Sequence, residues 1–262
     1  MRTGTHRRTA LLVGLAAVAG TVGVAAPAAA DGDGETHRVY ATREGLVGGT
    51  TANGHVIAER DHFVALPSAR ALSPRGSGTY SVRVCVADTT RCEYAPVWDV
   101  GPWNTTDDYW SATRHAFADL PRGVPQAQAA SRSGHREGRD QYGREVTNPA
   151  GIDLADGTFW DGLGLRSNAW VDVTFLWQGE AATGVVHPSG TPVNVRTGPG
   201  TGYARTGLAA EHARVPVLCT VRGQTVSGPL GTTDLWNKIG PDNFVSDAYL
   251  RTGSGEPVAP PC

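Results

Sequence analysis

Beyond its first thirty residues the chain has no apolar run long enough to cross a bilayer, so no membrane span is expected there. Lysine is nearly missing: Lys238 stands alone among 23 basic residues, against 25 acidic ones, and the net charge is −2. Arg2, Arg7 and Arg8 lie in the first thirty residues, which hold no Asp or Glu, so the remainder carries −5. A net-negative chain is repelled by phosphate backbones and anionic membrane surfaces, which excludes non-specific nucleic-acid binding. Gly-x-Ser-x-Gly, His-Glu-x-x-His and a glycine-rich phosphate loop are all lacking. That removes nucleophile-elbow hydrolases, zinc proteases of that class and P-loop enzymes. No pattern implies a cofactor, helical periodicity is sparse, and no stretch repeats another.

What is present begins with an export signal. A head bearing Arg2, Arg7 and Arg8 precedes the apolar run Ala10 to Ala26, and "APAAA" closes on Ala28-x-Ala30 before Asp31. Residues 1–30 therefore read as a signal peptide, leaving a secreted protein with no membrane anchor. Arg7-Arg8 keeps twin-arginine export open beside ordinary secretion. No cysteine sits near the cleavage pattern to take a lipid.

Cys85, Cys92, Cys219 and Cys262 then reside in an oxidising compartment, where an even count reads as disulfides. Cys85 and Cys92 flank "VADTTR", whose Asp-Thr-Thr centre suits a hairpin turn. Cys262 ends a proline-rich tail and is left for Cys219. The alternative, a zinc site, lacks Cys-x-x-Cys spacing and nearby histidines. A Cys-His wall peptidase is set aside because both earlier cysteines fall in the hairpin.

Short alternating segments between Gly, Pro, Asn and Asp clusters predict strands. Thr79–Ala87 puts Tyr80, Val82, Val84 and Val86 on one face, and Ala169–Trp177 does the same with Val171, Val173, Phe175 and Trp177. Asp107–Phe117 and Asp156–Leu163 are the candidate short helices. The polar stretch Thr105–Asn148, with "ASRSGHREGRDQYGRE", reads as exposed loop. "QGEAATG" reads as a small-residue linker. The expectation is an all-β protein with domains at 36–178 and 185–262, joined by residues 179–184.

"VNVRTGPGTGYARTG" (Val193 to Gly207) and "LWNKIGPDNFVSDAYL" (Leu235 to Leu250) resemble the opening and closing strands of bacterial SH3-type domains. The resemblance implies a small SH3-like β-barrel that holds a secreted protein against peptidoglycan. Tyr203, Trp236 and Tyr249 are the candidate wall-binding residues, with barrel core as the alternative for each.

In the first domain, "GGTTANGHVI", "HFVALPS", "WDVGPWN" and "GIDLADGTFWDGLGL" follow, in order, motifs that resemble rare lipoprotein A. The resemblance implies a six-stranded double-psi β-barrel, a fold shared with expansins and family 45 endoglucanases. It also implies a role for Asp99 as the acid of a lytic transglycosylase on peptidoglycan. One carboxyl kept protonated between Trp98 and Trp103 protonates the glycosidic oxygen while the sugar's 6-hydroxyl closes an anhydro ring.

A hydrolase needs a second carboxylate, for which Asp153 is the candidate. His62, one residue from the family's histidine position, is the candidate partner of Asp99, with Asp61 behind it. Trp98, Trp103, Tyr109, Trp110 and Trp160 are candidate sugar platforms. Structural roles stand beside these: Asp99 as a hydrogen-bonded turn residue, Asp153 accepting from the amides of the helix that follows. Asp107 and Asp108 are adjacent and lack a third ligand, so a helix N-terminus explains them better than a metal. The rival to catalysis is a non-catalytic protein, binding polysaccharide as expansins do or inhibiting a protein partner.

Overall fold

The computed structural model describes Met1 and residues 32–262; the signal-peptide reading, residues 1–30, otherwise lies outside the described residues. Six strands make up the first part of the chain, two of them within the alternating segments Thr79–Ala87 and Ala169–Trp177. They are β1 (Glu35–Arg43), β2 (Val64–Leu66), β3 (Ser81–Val86), β4 (Cys92–Val100), β5 (Ala150–Leu154) and β6 (Ala169–Phe175). Their pairing runs β4-β2-β5-β1-β6-β3 and returns from β3 to β4, so the sheet closes into a six-stranded barrel. β1–β5 and β2–β4 pair parallel, and the other four contacts are antiparallel.

Period-two alternation sends one face of each strand inward. Val82 and Val84 meet Val171, Val173 and Phe175 there, with Val39, Leu66, Val97, Ile152 and Leu154 completing the core. Tyr80, Val86 and Trp177, expected on the same faces, pack against its edge. Each fully buried Val, Leu or Phe contributes roughly 1.5–3 kcal/mol relative to exposure.

The long excursion between β4 and β5 is not the exposed loop its polarity suggests. It contains α1 (Gln126–Ser133), preceded by Pro125 and ended by Gly134 in the left-handed region at φ 68°, whose N–H bonds the carbonyls of Ala129 and Ala130. Ala127 and Ala130 bury against Val146 and Trp103. Asp107–Phe117 forms turns rather than a helix. Asp107 nevertheless serves a helix N-terminus, since its Oδ2 accepts from the Gln126 amide at 2.6 Å. The second expected helix is present as a turn of π-helix, Thr158–Gly162.

The rest of the chain forms a second core. Its strands are β7 (Ala182–Val186), β8 (Val193–Arg196), β9 (Arg205–Ala209), β10 (Arg214–Val217), β11 (Cys219–Gly228), β12 (Gly231–Gly240), β13 (Asn243–Ser246) and β14 (Leu250–Arg251). They pair in the orders β11-β12-β13-β8-β9 and β10-β7-β14. Residues 182–184, expected within a flexible linker, are paired with β10 instead. A Cβ on Gly184 would sit 2.6 Å from Leu250, so the glycine serves packing rather than flexibility.

The two cores are joined by strand pairing. β4 runs parallel to β9, with Cys92, Glu93 and Tyr94 opposite Gly207, Leu208 and Ala209. Tyr94 belongs to a barrel strand yet lies buried in the second core. Disulfides Cys85–Cys92 and Cys219–Cys262 are both formed, the first across the β3–β4 hairpin and the second tying the C-terminus to β11. Among the described residues no helix is long and apolar enough to cross a membrane.

Candidate functional site

The C-terminal ends of β1, β4 and β5 gather carboxyl groups at one end of the barrel. Across the sheet, Thr42 stands opposite Asp153, Asp153 opposite Ala65, and Ala65 opposite Asp99. The β2–β4 register slips here: Val64 faces Val97 but Ala65 faces Asp99, so Trp98 is an extra residue. Such a bulge re-aims the side chains after it. Val97 points into the core, and without Trp98's extra place Asp99 would follow it inward. Instead Asp99 shares a face with Ala65 and Asp153. The two aspartate Cα atoms stand two strand spacings apart, roughly 9–10 Å, with only the Ala65 methyl between.

The Thr-Ala-Asn-Gly segment is the clamp on Asp99. Gly54 takes φ +85°, and the turn ties back through the Asn53 amide to the Trp98 carbonyl at 3.3 Å. This delivers the Ala52 amide to Asp99 Oδ1 at 2.8 Å, and the Val100 amide bonds the same oxygen at 2.8 Å. Asp153 Oδ1 accepts from the Thr42 hydroxyl. That is a correction: Asp153 does not accept from the amides of the helical turn after it. Burial pushes the Asp153 pKa up to about 6, with the Asp99 charge adding and the Thr42 hydroxyl opposing.

A third acid, not found by sequence reasoning, completes the cluster. Glu44 directly follows β1, and its carboxyl is pushed up to about 9, first by burial and then by the neighbouring charges of Asp99, Asp153 and Asp156. Both Glu44 carboxyl oxygens are buried and receive no donor. A charge there would be buried without a donor, so the Glu44 carboxyl is held neutral beside Asp99 and Asp153. Its only signal in sequence was an acid just before Gly45, where a strand ends.

His62 does not partner Asp99. Its Nδ1 lies 2.8 Å from Glu93 Oε1, and the Thr158 hydroxyl donates to the same oxygen at 3.2 Å. Burial opposes charge on His62, but the hydrogen bond and charge of Glu93, with Asp161 and Asp61 behind, raise its pKa. Glu93 was also missed; it is a fully buried acid in a strand whose neighbours are all buried. Asp61 pairs with His55, Oδ2 to Nε2 at 2.7 Å. His55, His62 and Trp98 line one wall of a cleft of about 640 Å³, and Asn194, Arg205 and Leu208 line the other.

The aromatic candidates scatter. Tyr109 and Trp110 are core residues packed on Phe175, at 5.8 and 5.0 Å between centroids, and offer no ring face to a sugar. The sequence showed their aromaticity, and closure of the barrel decided their burial. Trp98 stacks on Phe63 and donates Nε1–H to the Ser77 carbonyl. Trp103 packs beside α1, its Nε1–H donated to Asn148 Oδ1 at 3.1 Å. Trp160 is 38% exposed, but the guanidinium groups of Arg43 and Arg60 each lie 4.8 Å from its ring.

Of the wall-binding candidates, Tyr203 is exposed, whereas Trp236 is only 3% exposed and donates Nε1–H to the Gln224 carbonyl. Trp236 and Tyr249 border one cavity of about 220 Å³, and Tyr203 borders another. Asp107 and Asp108 are held by Arg114 and Arg70, and among the described residues no group of three ligand side chains could hold a metal.

Two curated proteins of Bacillus subtilis (strain 168) are similar to this chain. Uncharacterized protein YraI is 42% identical over 83 residues, covering 28% of this chain and 69% of YraI. Uncharacterized protein YraJ is 43% identical over 82 residues, covering 28% of this chain and 70% of YraJ. Among solved structures, a mutant Clavibacter michiganensis expansin in complex with cellohexaose aligns over 84% of this chain and 97% of its own. Its identity is 12% and its TM-score 0.28, too low to carry an argument about fold or ligand. A protein-family profile matches residues 35–174, more than half of the chain and nearly all of the barrel. The protein therefore belongs to the family described as Domain of unknown function (DUF8814).

Proposed function

We propose that this is a secreted protein of the bacterial cell wall that cleaves the glycan strands of peptidoglycan through the carboxyl cluster Glu44–Asp99–Asp153. The observation that carries the reading is the buried, donor-free Glu44 carboxyl beside Asp99 and a second acid, Asp153, of raised pKa. Acids whose environments push their pKa values apart suit paired acid and base roles. The proton held by Glu44 reaches the glycosidic oxygen through the neighbouring Asp99 carboxyl as the bond from that oxygen to C1 breaks. Asp153 takes the proton of the sugar's 6-hydroxyl as that oxygen bonds C1, giving a 1,6-anhydro end. Water in place of the 6-hydroxyl gives hydrolysis and a reducing end instead.

The finer assignments belong to the same reading. The double-psi form of the barrel is supported by the order of the four motifs and the two parallel strand pairs. The SH3-type identity of residues 185–262 is supported by its two motifs, and wall binding by Trp236 and Tyr249 at one cavity. Both disulfides support an extracellular location.

The test is incubation of the purified protein with peptidoglycan, followed by mass spectrometry for new anhydro or reducing ends. Native protein should generate them, and Asp99→Asn should lower the rate at least about 100-fold. A native protein that binds peptidoglycan but releases no fragment rules out cleavage. The second reading, non-catalytic polysaccharide binding or inhibition of a protein partner, then stands. One observation favours it: the proposed aromatic platforms are buried or covered by guanidinium groups.

A further inference from the structure

The cleft beside His62 and the cavity beside Trp236 share three lining residues, Thr191, Pro192 and Asn194. They are therefore neighbouring stretches of one surface path, crossing from the barrel, over the loop before β8, into the second core. We infer that this path is a single groove that binds one extended glycan chain across both halves of the protein.

Three features point to that ligand. The cleft is lined by carboxylates, imidazoles and guanidinium groups, planar hydrogen-bonding side chains suited to hydroxyl-rich rings, and the half-buried ring of Tyr249 stands at the far end. Volumes of about 640 and 220 Å³ in series suit a polymer rather than a single small molecule. Among the described residues, Asp61 and Asp161 are paired with His55 and Arg60. Glu59 on the barrel lip and Glu211 on the opposite lip have no ion pair among those residues, which leaves two acceptors for hydroxyl or amine donors.

The two walls are also held in fixed relation. Glu93, which orients His62, sits in the short parallel pairing of β4 with β9 and faces Leu208, a residue of the opposite wall. A groove preorganised in this way loses little freedom on binding.

The inference takes its class of ligand from the reading above, but it does not depend on cleavage. Calorimetric titration of the full chain, in an Asp99→Asn background to prevent turnover, would use peptidoglycan glycan fragments of one and of four disaccharide units. The longer fragment should bind at least tenfold more tightly. Glu59→Gln and Glu211→Gln, from opposite lips, should each weaken it at least fivefold while leaving the melting temperature unchanged. Equal affinity for the two lengths, or indifference to either substitution, overturns the shared groove and leaves cleavage untouched. Failure of both fragments to bind overturns the groove and the glycan reading together.

Discussion

Glu44 stands beside Asp99 at the end of the barrel, its buried carboxyl held neutral by desolvation and by the charge of Asp99. Its pKa of about 9 lies above the ordinary 4.5, so the native state keeps a proton that the unfolded chain releases. The corresponding stability is fully present in acid and is lost as pH rises through the native value. Gln keeps a donor without ionising. Glu44→Gln should therefore stabilise the protein near neutral pH, on the order of 2–3 kcal/mol, and make little difference near pH 4. Urea unfolding at the two pH values checks this, and destabilisation near neutrality would contradict a neutral Glu44.

The His62–Glu93 pair predicts the same direction of pH dependence, carried by a charged group rather than a neutral one. With Glu93 present the imidazole titrates above its ordinary 6.5. Its stabilising charge is present in acid and lost as pH rises through that raised value. In Glu93→Gln the remaining dominant influence is burial, so the His62 midpoint should fall below 6.5. NMR of the ring nitrogens gives the answer, and an unchanged midpoint would separate the two residues.

Contact between the halves can be broken at one atom. A Cβ on Gly207 would fall 1.6 Å from the Cys92 carbonyl oxygen, where the strands of the two cores pair. Gly207→Ala should cost about 3 kcal/mol and speed amide exchange along β4. Gly202→Ala, with nothing within 4 Å of the added methyl, should be nearly neutral. Equal melting temperatures for the two variants would refute the joined arrangement.

The two disulfides should differ in value. Cys219 and Cys262 are 43 residues apart and Cys85 and Cys92 only 7. On loop-closure entropy, replacing the first pair by Ser costs about 4 kcal/mol and the second about 2.5 kcal/mol. Denaturant midpoints of the paired-Ser variants measure the difference, and the reverse order would argue against the entropic account.

Local chemistry was legible where it repeats at strand period. Val82 and Val84, like Val171, Val173 and Phe175, announced their inward faces by alternation. The Asp-Thr-Thr turn placed the Cys85–Cys92 hairpin. α1 went unread because its buried residues are Gln126 and the small Ala127, Ala129 and Ala130, packed near Val146 and Trp103, which lie far from it along the chain. Gly184 falls in the small-residue linker by composition, but its place is set by Leu250 packed against it.

The sequence by itself determined the strands β3 and β6, the bridging cysteines and the presence of Asp99 and Asp153, because each follows from residue type within a few neighbours. Only tertiary structure decided which acids stand together. The register slip at Trp98 turned Asp99 toward Asp153. The pairing of β1 with β5 brought Glu44 to both, and Glu93 claimed His62 from across the barrel. Proton affinity depends on burial and on charges brought close in space, and those distances do not exist until the barrel closes.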